Sequence, residues 1–385
     1  MPYLPGGGAR PGVVRFGLPA NSRRSTELEE RDLTNLPETD RDMPSPVPLM
    51  QLTSAFWQFK TLAAGVETGL FTELADGQAL TREDLAARLD LRERPADMFL
   101  AALTSLGLLT KDDGRYRNSP LAEEFLVEGR PRYFGGLVRY CDQREYPAWH
   151  RIVEALRTDK PLTWDPATQD SLFGADDQVM TRLFWEAMHS LSMSTARTLG
   201  EAYDFGAHRR LLDVGGGSGA FPIVLCQRYP QLSATVVELD HVCGVIEQKA
   251  REAGVGEAVH AAAGDFLSDA SLPPGHDVIL LSNVLHDWDE STGRKLLAKC
   301  YDALEDGGAI ILCELMLDSE HTGPANAALM GMNMIVSTEG GQSYSADELT
   351  RWLTDTGFED PRTISFEATG ANGAVVARKN PGRVG

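Results

Sequence analysis

The chain has 385 residues, enough for two domains, and its 42% hydrophobic and 24% charged residues describe an ordinary globular protein. A formal net charge of −20 argues against a nucleic-acid partner, because neutralising a phosphate backbone takes a positive surface. Five scattered cysteines with no C-x-x-C pair make neither a disulfide framework nor a zinc site, and no apolar run approaches the ~18 residues of a membrane span. A reduced, cytoplasmic protein with no metal and no membrane contact is expected.

Residues 1–44 begin Gly-, Pro- and Arg-rich and turn acidic, with no apolar face and no signal-peptide core, so a disordered tail is expected. Residues 45–150 read as one domain. "LMQLTSAFWQFKTLAAGVETGLFTEL" repeats apolar residues at three and four, the spacing of an amphipathic helix. Thr81, three residues before Asp84, marks a helix start, and the next helix carries Met98, Leu100, Leu103 and Leu106 on one face. "GLLTKDDGRYRNS" predicts a hairpin around Asp-Asp-Gly. The outline, all-helical but for that hairpin, is winged-helix-like, which suits a DNA-binding regulator or an oligomerisation module. Charges between Leu80 and Asn118 nearly balance and form no basic stripe, which argues against the regulator. The surplus of apolar helix face predicts a homodimer.

Residues 151–200 continue as linking helices that line a site. Trp149 and Trp185 read as core, while Met188 and Ser192 fall one turn apart on one face. From residue 201 to 385 the pattern changes. "RRLLDVGG", "SATVVEL", "AVHAAAG", "HDVILLSNVL" and "GGAIILCELM" alternate with helical segments, which predicts a Rossmann-like α/β domain with a mostly parallel sheet. "PRTISFEA" and "GAVVARK", joined by "TGANG", predict an antiparallel pair at its edge.

Reactive residues gather at strand ends, where open sheets of this kind bind ligands. Gly215, Gly217 and Ala220 in "DVGGGSGAF" satisfy the G-x-G-x-x-A dinucleotide pattern, so a nicotinamide dehydrogenase stays open. Asp213, Glu238 and Asp265 close three successive strands, and Phe266 follows the last. Three acids suit a ligand with a ribose, an adenine and a cationic amino-acid part, and would repel a pyrophosphate. "LLSNVLHDWDE" ends a buried run in His286, a base at the mouth of a site. Asp287 reads as the cap of the next helix and Trp288 as packing. His150 reads as structural and His189, beside Met188, as either substrate-facing or a helix-surface histidine, and no His/Cys/Asp cluster has metal-ligand spacing.

"LLDVGGGSGAF", "VVELDHV", "GDFL", "NVLHDWDE" and "YDALEDGGAIILCELMLD", in that order, resemble the successive motifs of small-molecule O-methyltransferases. These are the S-adenosylmethionine-dependent, caffeate-type enzymes of plants and of bacterial secondary metabolism. The resemblance covers residues 50–380. It implies a class I methyltransferase fold over 201–385, a dimerisation domain over 45–150, S-adenosyl-L-methionine as cofactor and a small phenolic aromatic as substrate. By that likeness Asp213, Gly215 and Gly217 approach the amino-acid part of the cofactor, and Glu238 its ribose. Asp265 and Phe266 hold the adenine, and Ser282 and Ser192 lie beside the cofactor. Phe184 and Met188 line the substrate pocket. His286 becomes the general base and Glu314 the acid that orients it. The family commonly reads Gly-Gly-x-Glu-Arg-Thr where this chain has "GGQSYS", so Ser343 stands in place of a second bracing acid, with Glu339 and Asp347 near it in sequence. That departure keeps open a carbon- or nitrogen-methylating relative, or one that uses the cofactor for another reaction.

Overall fold

The computed structural model describes residues 44–167 and 178–380, so residues 1–43 of the expected tail lie outside the described residues. Helix α1 (Val47–Glu67) buries only Ala63, Gly65 and Val66, near its end. β1 (Leu80–Thr81) leads into α2 (Arg82–Arg88). Thr81 caps that helix: its Oγ1 accepts from the Asp84 N–H at 3.1 Å, and Asp84 accepts from the Thr81 N–H at 3.2 Å. The reciprocal pair satisfies two donors that a helix start leaves open. α3 (Glu93–Ser105) buries Ala96, Leu100 and Leu103, but Met98 is 59% exposed. Residues two apart on a helix point about 200° apart, so Met98 does not share the face expected for it.

β2 (Leu109–Asp112) and β3 (Arg115–Asn118) pair antiparallel around Asp113 and Gly114. Both turn residues have positive φ, 44° and 72°, as a two-residue hairpin turn requires. Leu80 of β1 pairs with Tyr116 across β3, completing a three-stranded sheet. The segment is thus helical with a full small sheet, a correction to the all-helical outline. It arises because the residues before the Thr81 cap are themselves extended.

α4 (Gly135–Tyr140) packs against the long α5 (Gln178–Ala202), which also packs on α6 (Ala220–Arg228). Five parallel strands follow: β4 (Arg210–Val214), β5 (Ser233–Glu238), β6 (Val259–Ala263), β7 (His276–Ser282) and β8 (Leu304–Glu314). Helices α7 (Asp240–Glu252), α8 (Glu290–Ala303), α9 (Ala325–Ser337) and α10 (Ala346–Thr356) cover the sheet or flank its end. β9 (Phe358–Ser365) and β10 (Gly373–Lys379) add the antiparallel edge, giving the order β6-β5-β4-β7-β8-β10-β9. Strand alternation divides the core. Leu211, Val236, Val278 and Ile311 face one way, toward Leu199 of α5, Leu225 of α6 and Ile246 of α7. Leu212, Val237, Ile279 and Leu312 face the other, toward Leu296 of α8 and Leu353 of α10. Each such side chain contributes ~1.5–3 kcal/mol by leaving water, and a slip of one residue would turn every one outward.

Strand order reverses between β4 and β7. The crevice beyond their carboxyl ends is the ligand site of such sheets. Asp213, Glu238, Ser282 and Glu314 stand at or next to the ends of their strands, and Asp265 lies two residues past β6.

Candidate active site

The glycine turn after β4 lies directly on Asp213. A side chain at Gly216 would meet Asp213 Oδ2 at 2.2 Å, so the backbone covers the carboxyl with no room to spare. Gly215 and Gly217 adopt φ of 67° and 57°, a region that costs a residue with a Cβ. Asp213 is fully buried and neither carboxyl oxygen finds a hydrogen-bond partner among the described residues. Burial, and then the charge of Glu238, push its carboxyl up to about 8.

Glu238 folds back over the same turn. It accepts from the Gly217 N–H at 3.0 Å and from the Leu239 N–H at 2.9 Å. Burial raises its carboxyl above the usual range, although those two N–H groups pull it down. Asp265 accepts from the Leu267 N–H at 2.9 Å and from the Ser268 hydroxyl at 2.8 Å, which braces the turn that presents Phe266. The Phe266 ring approaches Gly215, where a Cβ would stand 3.1 Å from it. Trp288 meets Phe266 edge-on, with ring centroids 6.1 Å apart. Ser282 Oγ is buried without a partner among the described residues.

On α5, Met188 and Ser192 are half-buried one turn apart. Phe184 packs edge-on against Tyr140, with ring centroids 5.4 Å apart, so its ring belongs to an aromatic cluster at the α4–α5 contact. The same helix carries two residues that sequence reasoning placed elsewhere. His189 is half-buried rather than on the surface, and its Nδ1 lies 2.8 Å from Ser218 Oγ in the glycine turn. Trp185 lies over Gly217, where a Cβ would come within 3.0 Å of the indole. Their four-residue spacing places both on one helix face, a signal the sequence did hold.

Past β7 the chain makes a short turn, Leu285–Asp287, that sets His286 against Glu314. Glu314 Oε1 accepts from the Val284 and Leu285 N–H groups, each at 3.0 Å. Its Oε2 accepts from His286 Nδ1 at 2.6 Å. A carboxylate can only accept, so the proton sits on Nδ1 and Nε2 faces away from Glu314. Nearest to Nε2 among acids is Asp287, whose Oδ1 lies 3.6 Å away. Burial alone would lower the imidazole, but the Glu314 and Asp287 carboxylates outweigh it and raise His286 to about 9. Burial raises Asp287 to about 6, with His286 pulling it back.

Asp287 therefore sits beside the base and does not cap α8. Asp289 does, accepting from the Thr292 N–H at 2.8 Å. The turn at Leu285–Asp287 uses up the residues before it, which moves the cap two positions on. The loop before α10 supports this turn from outside. Tyr344 donates to the Trp288 carbonyl at 2.6 Å, and a Cβ on Gly341 would stand 2.4 Å from the His286 carbonyl oxygen. Ser343 points elsewhere, donating to the Ala327 carbonyl at 2.7 Å. Glu339 and Asp347 are exposed. Trp149 is half-buried and donates to Asn333 at 2.8 Å, and His150 is exposed.

A buried acid without a partner among the described residues, Asp213, beneath a turn too close-packed for side chains, with Glu238 and Asp265 at the next strand ends, fits a ligand with a cationic group and an adenosine part. Among the described residues no group of three or more His, Cys, Asp or Glu side chains could hold a metal, and no helix is long and apolar enough to cross a membrane. Residues 149–359 match the O-methyltransferase domain, and residues 50–128 the O-methyltransferase dimerisation domain. The chain is 45% identical over 334 residues to 3-hydroxy-5-methyl-1-naphthoate 3-O-methyltransferase of Streptomyces sahachiroi, which spans 87% of this chain and 95% of that protein. It is 32% identical over 336 residues to the tetracenomycin polyketide synthesis 8-O-methyl transferase TcmO of Streptomyces glaucescens, spanning 87% and 97%. The solved structure of human N-acetylserotonin methyltransferase in complex with SAM matches with a TM-score of 0.76 at 26% identity, over 90% of this chain and 99% of that one.

Proposed function

Because this chain belongs to the S-adenosylmethionine-dependent O-methyltransferase family, we propose that its site methylates a hydroxyl of a fused-ring aromatic molecule, with hydroxynaphthoates the first class to try. The relative with 45% identity is named for such a substrate. The observation that carries the reading is the pairing of His286 with Glu314. Three N–H groups fix Glu314 in place, which holds a proton on Nδ1 and leaves Nε2 to take one from an acceptor.

The bound cofactor supplies a methyl on a sulfonium, so the protein's task is to align the acceptor and accept its proton. A phenol near pKa ~10 is largely protonated at neutral pH. A base placed to take that proton speeds transfer by roughly 10²–10⁴-fold. The raised His286 suits a phenol, because a base of similar proton affinity shares the proton most evenly. A neutral His286 with a phenol carries the same number of protons as an imidazolium with a phenolate, so either description gives one pH dependence. Glu238 serves the ribose, Asp265 and Phe266 the adenine, and Asp213, Gly215, Gly217, Ser282 and Ser192 the amino-acid and sulfonium end. Met188 and Phe184 line the acceptor side.

We also infer a homodimer through the domain at 45–150, whose helix α1 leaves Phe56 at 48% and Trp57 at 60% exposed. A surface that apolar is normally covered. A sharply monomeric sedimentation profile at micromolar concentration would remove this inference. The five free thiols suit a reducing, cytoplasmic setting. The main test is to incubate the protein with methyl-labelled S-adenosylmethionine and a panel of hydroxynaphthoates, phenols and aromatic amines, then locate the label. Label on oxygen of a hydroxynaphthoate is expected; label only on carbon or nitrogen overturns the acceptor assignment.

A further inference from the structure

Strands β6 and β7 both belong to the parallel part of the sheet, yet β5 and β4 stand between them. A crossover of that kind is usually a helix, which pairs its own backbone. Here the connection, residues 264–275, contains neither helix nor strand. Its backbone groups must find partners elsewhere, and it is the segment that carries Asp265 and Phe266.

One side chain supplies three of those partners. Lys299 is half-buried on α8, and its Nζ donates to the carbonyls of Phe266 at 2.8 Å, Leu267 at 3.0 Å and Asp269 at 2.6 Å. An ammonium has three donors, so all of them are spent on this turn. The bond to Phe266 reaches furthest. The same peptide unit carries the Leu267 N–H, which donates to Asp265 Oδ1 at 2.9 Å. The two ends of a trans peptide point in opposite directions, so a cation that fixes the carbonyl also aims the N–H. Charge on the carbonyl side polarises that N–H and strengthens its bond to the carboxylate. Ser268 follows the second carbonyl that Lys299 holds, and its hydroxyl donates to Asp265 Oδ2 at 2.8 Å. Each carboxylate oxygen can accept twice, so both keep a lone pair for a ligand. The turn also closes on itself without Lys299: the Asp265 N–H donates to Asp269 Oδ2 and the Asp269 N–H to the Asp265 carbonyl, each at 2.8 Å.

We propose that Lys299 is a positioning residue for the base of the cofactor. Through the peptide between Phe266 and Leu267 it orients the Asp265 carboxylate, and so sets how strongly the site prefers a purine with a 6-amino group. The inference rests on the reading that Asp265 and Phe266 receive the adenine. Lys299 acts through the backbone, because its three donors are already taken.

The test is calorimetric titration of S-adenosylhomocysteine against the analogue whose purine lacks the 6-amino group. Wild-type protein should prefer S-adenosylhomocysteine by roughly 10-fold, the effect of one charge-assisted hydrogen bond. Lys299→Met keeps the length of the stem and removes the donors. It should weaken S-adenosylhomocysteine about 10-fold and the analogue no more than about 2-fold, so that the preference nearly vanishes. Lys299→Arg, which still donates to carbonyls, should recover part of it. Ser268→Ala, at an exposed position, should lower the preference by a few-fold with Lys299 in place. Binding of the analogue reports that each variant is folded. Lys299→Gln keeps a neutral donor and should fall between; it decides the case if Lys299→Met does not fold, and an unchanged preference there overturns the proposal. Equal weakening of both ligands means that Lys299 only holds the turn in place, and also overturns it. Wild-type protein that binds the two ligands equally would instead remove the adenine assignment of Asp265, and the proposal with it.

Discussion

The two halves of the crevice are built to different degrees of completion. Around His286 the polar groups brace one another: Glu314 takes three N–H groups, and the turn bearing His286 is held by Tyr344 and closed by Gly341. At the end of β4, neither oxygen of Asp213 nor the N–H of Trp185 beside the glycine turn has a partner among the described residues. A buried polar group left open is destabilising unless something arrives to meet it. On the proposed assignment, the half that holds His286 is preorganised by the protein alone, while the half around Asp213 is finished by its ligand. Variants of the first half should change turnover, and variants of the second should change affinity.

The largest effect is expected on the preorganised side. His286→Ala should lower kcat by roughly 10²-fold or more with cofactor affinity intact. Glu314→Gln should lose about as much. A glutamine carbonyl can still accept from Val284 and Leu285, but its amide group would then face Nδ1 and drive the proton to Nε2, the wrong tautomer for a base. The rate limited by proton removal should rise with pH as His286, raised to about 9, gives up its proton. The same shift makes the contribution of His286 to stability full below about 6.5 and lost as pH rises through about 9. A rate flat from pH 6 to 9 in steady-state assays would contradict the first statement, and a melting temperature to which His286→Ala makes the same difference at pH 6 and pH 9 would contradict the second. Either variant weakening S-adenosylmethionine as much as it slows turnover would erase the division between halves.

Gly341→Ala comes next, because it acts on the catalytic turn without touching the imidazole. The added methyl would lie 2.4 Å from both the His286 carbonyl oxygen and Thr338 Oγ1. The backbone must move, at a cost of ~1–3 kcal/mol, and His286 moves with it. A drop in kcat of about 10-fold is expected, since small misplacements of a base are expensive. The measurement is kcat beside the melting temperature; a less stable protein with full turnover would show that the loop props the fold and not the base.

Asp213→Asn tests the unfinished side. With its carboxyl raised to about 8, Asp213 favours folding in its protonated form, so wild-type stability should fall as pH rises from 3.8 toward 8. The amide cannot ionise, so the variant should be the more stable protein at pH 8 to 9 when no ligand is present. It should bind S-adenosylmethionine about 10-fold more weakly, having lost a charge beneath a cationic ligand. Melting curves across pH, with and without cofactor, separate the two. Unchanged affinity would mean that Asp213 props the turn and does not serve the ligand.

Strand ends were the legible part of this molecule. Short apolar runs rich in Val, Ile and Leu name the strands, and polar residues at their ends are visible as breaks in those runs, so Asp213, Glu238, Ser282, His286 and Glu314 could all be placed on one edge. The antiparallel edge pair was equally plain. What escaped depends on where a turn stops or which way a helix faces. Asp287 and Asp289 are both fair caps by composition, and only the short turn after β7 decides between them. Met98 fell off its expected face by helix rotation. Trp185 looked like core, and His189 like a surface or substrate contact, because their partners, Gly217 and Ser218, lie about thirty residues on, in contact only through the packing of α5 on α6.

Ser343 provides the smallest expected effect and the sharpest test of what braces the base. In sequence it stands where the family's second bracing acid is common, the departure that kept a carbon- or nitrogen-methylating relative open. In the structure its hydroxyl donates to Ala327, at 2.7 Å, on α9, and the carboxylate on the open side of His286 belongs to Asp287, 3.6 Å from Nε2. Ser343→Ala should then leave kcat within about 2-fold and the pH profile unmoved, while costing about 1 kcal/mol of stability for one buried hydrogen bond. Asp287→Asn should instead shift the profile toward lower pH, because one of the two charges that raise His286 is gone. Steady-state profiles of the two variants, measured side by side, are the check. A profile that moves with Ser343 and stays fixed with Asp287 would mean the bracing runs through the loop before α10, and the catalytic half would no longer be self-contained.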